Sequence, residues 1–328
     1  MSSDKIKNGA GGADAISLSV ELTYQIMFDD AKLDELAAQG IKAISAPYDD
    51  FVEATPLKTL KERAASLASR GIRVDTSHPR FGNYNTQYSM VNQYEIPRKL
   101  YLEQLKEGFE RLSILGVRVA PIHTGGCCLG VSPEWSMDLC AESLREVVPA
   151  AADCGLILAL ENTFFSVPQH WDGGVGDNGR PAQTRNTVYD DIGKLCRLID
   201  MLDSPVVKGC FDAGHAHYLG DLTGDHVKMG DRILLYHIHD NNQEYDMHLQ
   251  PGYATLNWEE LGGLLSGNAA GMPAFIEAAP WTHGEYALMV RQTKALLSGG
   301  RRGENKRCMK CGSLLLTDNA GEFCACVG

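Results

Sequence analysis

The chain has 328 residues, 44% of them hydrophobic, and a formal net charge of −12. Length and apolar content suit one large core with an appendage, and the acidic balance excludes a surface built to grip a phosphate backbone, so nucleic acid is not an expected partner. No apolar run approaches the roughly 18 residues of a membrane span, and Met1-Ser2-Ser3-Asp4-Lys5 lacks the apolar core of a secretory signal; a cytoplasmic protein is expected.

Residues 1–14 are rich in Gly, Ser and Lys and read as disordered. From there to 298, apolar strand-like runs alternate with amphipathic stretches eight times. The strand candidates are Ile16–Leu22, Ile41–Ala46, Ile72–Ser77, Val117–His123, Leu156–Glu161, Val206–Asp212, Ile233–His239 and Ala274–Glu277. The helical patterns between them, such as 57–71 and 99–116, end near Gly, as helix C-termini often do. Eight such alternations over about 300 residues predict an α/β fold, a (β/α)8 barrel. An open doubly wound sheet is the competitor, but no GxGxxG follows the first strand.

The strand ends carry the chemistry. Strand three finishes in Ser77-His78-Pro79-Arg80, strand four in His123-Thr124 and strand five in Glu161-Asn162. Strand six gives Asp212, His215 and His217, strand seven His237, His239 and Asp240, and strand eight Glu277; Asp246 and His248 follow in a polar turn. In a strand, His237 and His239 point to the same side. A lone His or Glu at a strand end is ordinarily a hydrogen-bonded structural residue. Acids and imidazoles on six strands are different, because buried unpaired acids cost several kcal/mol and demand a cation. Oxygen and imidazole donors together suit zinc, manganese or iron. The long polar segment after strand five, with Trp171, reads as a lid or substrate wall. His170, His226 and His283 read as ordinary surface or loop histidines.

Ten cysteines divide into two groups. Cys127, Cys128, Cys140, Cys154, Cys196 and Cys210 lie in apparent elements and their ends, as reduced thiols do. Cys308, Cys311, Cys324 and Cys326 crowd the last 21 residues as CxxC and CxC around a Leu-rich hairpin candidate. Two such pairs predict a small C-terminal cysteine-rich tail, 299–328, with a structural tetrahedral zinc. The tail's five Arg and Lys against three Asp and Glu leave it at +2, and the barrel segment at −14.

Over roughly residues 15–298, the pieces LENT at 160–163, FDAGHAH at 211–217, HIHDNN at 237–242, DMHLQPGYATLNW at 246–258 and FIEAAPW at 275–281 resemble the xylose isomerase-like barrels, the superfamily of sugar phosphate isomerases and epimerases and of AP endonuclease family 2. Cysteine tails are not part of that pattern. The resemblance implies a divalent metal between Glu161, Asp212, His237 and Glu277, with manganese, cobalt, magnesium or zinc as the ion. The endonuclease branch adds ligands that are here His78, His123, His215, Asp246 and His248. Where isomerase-like members have Gly-x-Gly after the Pro, this chain has Gly252-Tyr253-Ala254.

The function this implies is a metal-dependent sugar isomerase or epimerase. It would abstract a proton next to the carbonyl of a ketose or keto-sugar through a metal-stabilised enediolate. Glu161 and Glu277 would carry the proton, with His215, His123 and Arg80 holding hydroxyls or shuttling protons. The resemblance also embraces keto-sugar lyases or dehydratases, C-glycoside deglycosidase α-subunits that need a β-subunit, and tri-zinc phosphodiesterases of the endonuclease IV type, which the acidic barrel opposes. The expected partner is a small-molecule sugar, with a second copy of the chain or a β-subunit as the protein partners.

Overall fold

The computed structural model describes residues 17–79, 89–125, 132–163, 191–244, 246–268, 272–278, 286–307, 314–318 and 321–323. Eight parallel strands close into a barrel: β1 (Ser17–Glu21), β2 (Ala43–Ser45), β3 (Arg73–Thr76), β4 (Val119–Ile122), β5 (Ile157–Glu161), β6 (Val207–Asp212), β7 (Ile233–Ile238) and β8 (Pro273–Ile276). Their order follows the chain, and β1 pairs with β8, Ser17 lying opposite Pro273 and Val20 opposite Ile276. The expected (β/α)8 barrel is therefore the fold, and the eight expected strands agree with these to within a few residues at each end.

Helices α1 (Tyr24–Met27), α2 (Asp30–Ala38), α3 (Leu57–Ser69), α4 (Glu95–Ile114), α5 (Pro133–Asp153), α6 (Ile192–Leu202), α7 (Ala213–Leu219), α8 (Leu222–Met229), α9 (Trp258–Asn268) and α10 (Tyr286–Leu297) lie between and after the strands. Short polar side chains start several of them. Asp29 accepts from the Lys32 amide, Ser132 from that of Trp135 and Asp221 from that of Gly224, each cap satisfying a donor that the first turn leaves free. The runs at 57–71 and 99–116 end as expected: Gly71 and Gly116 take φ of +68° and +83°, which spares the Cβ clash that other residues meet there.

Strands of a parallel barrel are covered on both faces, hence their near-continuous apolar runs. Val20, Ile44, Leu158, Leu160, Val207, Ile238 and Ile276 face the helices in the main core, each side chain worth about 1.5–3 kcal/mol of burial. Inside the barrel, Val119, Ala159, Cys210 and Leu235 form a separate apolar plug. Packing is thus finished one layer below the carboxyl ends of the strands, and the polar residues stand on that floor.

Cys140, Cys154, Cys196 and Cys210 are free thiols, as expected; Cys127 and Cys128 lie outside the described residues. After the barrel, β9 (Arg301–Arg307), β10 (Leu314–Asp318) and β11 (Gly321–Phe323) form an antiparallel sheet in the order β11-β10-β9. Leu316 of this sheet is buried in the barrel's own core. Cys308, Cys311, Cys324 and Cys326, with the zinc expected on them, lie outside the described residues, as do Arg80, Trp171, His170 and His283. One expectation is corrected. His226 is no surface histidine: it is buried on α8, bonds the Tyr236 hydroxyl at 3.0 Å and meets the Phe211 ring edge-on. No described helix is long and apolar enough to cross a membrane.

Candidate metal centre

The ends of β5, β6, β7 and β8 bring Glu161, Asp212, His237 and Glu277 together, each offering one donor atom within 4.8 Å of the others. His237 Nδ1 is the hub. It lies 3.0 Å from Glu277 Oε2, 3.4 Å from Glu161 Oε2 and 3.8 Å from Asp212 Oδ2. His78, just past β3, closes one side, with Nε2 3.6 Å from Glu277 Oε1 and 3.9 Å from Glu161 Oε2. His123, just past β4, comes to 3.3 Å from Glu161 Oε2. Glu161, Asp212 and His237 are fully buried.

A second cluster adjoins the first. His215 on α7, His239 just past β7, and Asp246 and His248 on the loop before α9 again offer donor atoms within 4.8 Å of one another. Two of these imidazoles are fixed from behind. His215 Nδ1 lies 2.8 Å from the Asn162 carbonyl, and His248 Nδ1 lies 3.0 Å from the Glu277 carbonyl. A carbonyl only accepts, so in each ring Nδ1 carries the proton and Nε2 is turned toward Asp246, at 3.4 Å from His215 and 2.8 Å from His248. A ring held by a backbone carbonyl with its other nitrogen presented inward is the usual second-shell arrangement of a metal-binding histidine. Asp212 stands between the clusters: Oδ1 caps α7 through the His215 amide and faces His239 Nε2 at 3.2 Å, while Oδ2 faces His237.

His239 differs from its neighbours. Its ring stacks on His248 with centroids 4.0 Å apart and planes 7° from parallel. One ion cannot lie in both of two stacked ring planes, so His239 acts here as a platform under His248.

Whether these residues suit a cation is decided by their unsatisfied atoms. Both Glu161 carboxylate oxygens, Asp212 Oδ2, Glu277 Oε2, Asp246 Oδ1 and both nitrogens of His237 are buried without a hydrogen bond. Buried polar atoms are normally bonded, and so many converging lone pairs fit a divalent ion. The carboxylates and imidazoles also shift one another's pKa values. Burial raises the Glu161 carboxyl, but His237 and His123 outweigh it and hold the group well below the usual carboxylate range. Burial likewise opposes ionisation of Glu277, and His237 and His78 overcome it. Burial disfavours charge on His215, yet Asp212, Asp246 and Glu161 push it up to about 10; His248, also opposed by burial, reaches about 9 beside Asp246. For His78 burial wins and its pKa falls.

Sequence reading thus located nine residues that the fold gathers at one mouth: His78, His123, Glu161, Asp212, His215, His237, Asp246, His248 and Glu277. It assigned no part to three others. Asn162 clamps β5 to β6, its Nδ2 donating to the Asp212 carbonyl and its Oδ1 accepting the Asp212 amide. Glu21 ends β1 beside Glu277, one residue beyond the Val20–Ile276 pair; burial and Glu277 raise its carboxyl pKa. The signal available for Glu21 was its place at the end of an apolar run, as for Glu161. Asp240, grouped in sequence with the mouth imidazoles, instead faces the loop amides.

Comparison with known proteins sets this site in context. The chain matches 22% of positions over 173 residues with an uncharacterised protein of Methanocaldococcus jannaschii, spanning 53% of this chain and 60% of that protein's length. Among solved structures it resembles a D-tagatose 3-epimerase-like protein (TM-score 0.68, 19% identity, 86% of this chain and 98% of that one). It also resembles a 3-keto-D-glucoside 4-epimerase from E. coli (0.63, 15%, 85% and 99%). A third neighbour is the IolI protein with a bound zinc atom (0.64, 16%, 86% and 98%). Identities this low establish the fold alone. The family model of the xylose isomerase-like TIM barrel matches residues 33–290, well over half of the chain, and the protein belongs to that family.

Proposed function

We propose that the protein is a divalent-metal-dependent isomerase or epimerase of a ketose or keto-sugar. The observation that carries this reading is the quartet of Glu161, Asp212, His237 and Glu277, two of whose glutamates stand on strands three apart in the ring with buried, unbonded carboxylate oxygens. A divalent ion held by these four residues would polarise a substrate carbonyl and offset the negative charge that develops on proton loss. Both glutamates are held as carboxylates, so each is competent to take a proton from the carbon beside that carbonyl. One removes it and the other returns a proton, to the opposite face in an epimerase or to the neighbouring carbon in an isomerase. His123 and His78 flank Glu161 and are placed to orient hydroxyls. The structural neighbours include a D-tagatose 3-epimerase-like protein and a 3-keto-D-glucoside 4-epimerase, which supports the substrate class.

The test is isotope exchange in D₂O with simple ketoses and 3-ketoglucosides. Deuterium should enter the carbon next to the carbonyl at or above the rate of net conversion. Removal of metal by chelation should stop it, and Mn²⁺, Co²⁺ or Mg²⁺ should restore it. A substrate converted without gaining deuterium would refute proton abstraction, and full turnover by metal-free protein would remove the metal from the reading.

A second reading, a multi-metal phosphodiesterase, has one observation in its favour: the cluster of His215, Asp246 and His248 next to the quartet. The net charge of −12 opposes a DNA substrate. Cleavage of abasic-site DNA, with no action on any ketose, would select it.

A further inference from the structure

The two clusters are built differently. The quartet hangs on strand ends, whereas Asp246 and His248 ride on the loop between β7 and α9. Three features hold that loop over the mouth. The first is a two-way bridge, the Asp240 amide donating to the Leu249 carbonyl at 2.8 Å and the Leu249 amide to the Asp240 carbonyl at 2.9 Å. The second is the Gln292 amide, which donates to the Pro251 carbonyl at 2.6 Å. The third is the Asp240 side chain. It is fully buried. Its Oδ1 accepts the Leu256 amide at 2.9 Å, and Oδ2 accepts the amides of Gly252 and Ala254 at 3.0 Å each and the Trp258 indole N–H at 3.2 Å. One carboxylate therefore gathers four donors spread over seven residues. Such charge-assisted bonds are among the strong ones.

Directly upstream of that gathered segment, His248 adopts φ of +44°, a left-handed conformation that a non-glycine residue keeps only where its surroundings impose it. The imposing contacts are the Glu277 carbonyl, the His239 platform and the loop clamped on Asp240. Of these, Asp240 holds the most backbone.

We propose that Asp240 is a positioning residue for the second cluster: by gathering the loop amides it holds Asp246 and His248 in place to take a metal ion, while the strand-end quartet does not depend on it. This rests on the metal-centre reading of the mouth. Asp240 itself touches neither ion nor substrate.

The test titrates the full-length chain, stripped with a chelator, with Zn²⁺ alone, and compares wild type, Asp246→Ala, Asp240→Asn and Trp258→Phe by calorimetry and elemental analysis. Any zinc taken up by the cysteine tail would be common to all four and cancel. Asp246→Ala identifies the binding event that belongs to the second cluster. Asp240→Asn should leave the quartet's event at wild-type affinity and weaken the second by about 10–100-fold, the equivalent of one hydrogen bond to a charged group. Hydrogen exchange should rise in the amides of residues 252–256. Trp258→Phe removes one donor and keeps the charge, so it should weaken the same event by less. Wild-type affinity for both ions in Asp240→Asn overturns the proposal. If Asp240→Asn does not fold, Trp258→Phe decides: an unchanged second event overturns the proposal and a selectively weakened one supports it. A wild type with no event sensitive to Asp246→Ala overturns the second site and the role of Asp240 with it, while the quartet and the sugar reading stand.

Discussion

The quartet and the loop cluster solve one problem, holding converging lone pairs in a largely buried mouth, with different materials. Glu161, Asp212 and His237 are laid out by the sheet, whose register places Glu161 beside Cys210 and Asp212 beside His237. Nothing short of breaking the barrel moves them. Asp246 and His248 depend on a loop that must be bent back and clamped, one of its residues in a left-handed conformation. Sites on strands are more precise than sites on loops. The contrast assigns the fixed chemistry to the strand ends and leaves the loop cluster as the part that a few substitutions can tune or abolish.

The largest effect should come from breaking the strand-built side. Glu161→Gln removes a carboxylate that faces His237, His123 and His78. Turnover of an accepted ketose should fall by at least about 10²–10⁴-fold, the range of a lost proton carrier, and elemental analysis should show one barrel ion missing. An unchanged ion count with unchanged turnover would erase the contrast.

Next comes pH. In the metal-free protein His215 and His248 have pKa values of about 10 and about 9, above the ordinary histidine value of about 6.5, so at neutral pH an entering ion must displace their protons. Zinc affinity of the loop cluster should therefore climb with pH by up to about tenfold per unit for each proton displaced, more gently above pH 9 and flattening above about pH 10. The quartet contains one such histidine, His237, and should be less steep. Stability follows the same sign. Groups whose pKa is raised by folding stabilise the folded state fully below their unfolded value and lose that contribution as pH rises through the folded one. Metal-free protein should then lose thermal stability progressively from about pH 6.5 to about pH 10, where zinc-loaded protein does not; scans from pH 6 to 10 check both.

The smallest effect sharpens the boundary. His217 lies four residues from the start of α7, the helix that also presents His215, yet its Nε2 bonds the Thr255 hydroxyl at 3.1 Å rather than either cluster. His217→Ala should leave metal content unchanged and cost about 1 kcal/mol, one hydrogen bond's worth, read as a shift in the urea midpoint.

Much of this was legible because strand periodicity and strand-end chemistry are local. Apolar runs cut off by Glu161, Asp212 and Glu277 announce both the barrel and its mouth. His226 was misread because a histidine on a short helix carries no mark of what packs on it, and here Tyr236 and Phe211 come from strands. Asp240 was invisible as a clamp because its four donors come from backbone and one indole up to eighteen residues away, and backbone donors have no sequence signature. The division of nine ligand-type residues into two clusters also lay beyond the sequence. His237 and His239 do project to one side, but the strand ends at Ile238, and the turn beyond it sends the second ring to the loop.

The ring of strands closes through the pairing of Ser17 with Pro273 and Val20 with Ile276, a separation of 256 residues. During synthesis at about 5–20 residues per second, β1 waits about 13 to 50 s for its partner to be made. Throughout that interval the growing sheet has an unpaired flank that can recruit another chain. Production of this protein is thus a race between elongation and self-association. Slowing the ribosome between residues 21 and 273 should lower the soluble yield even though every finished molecule is identical.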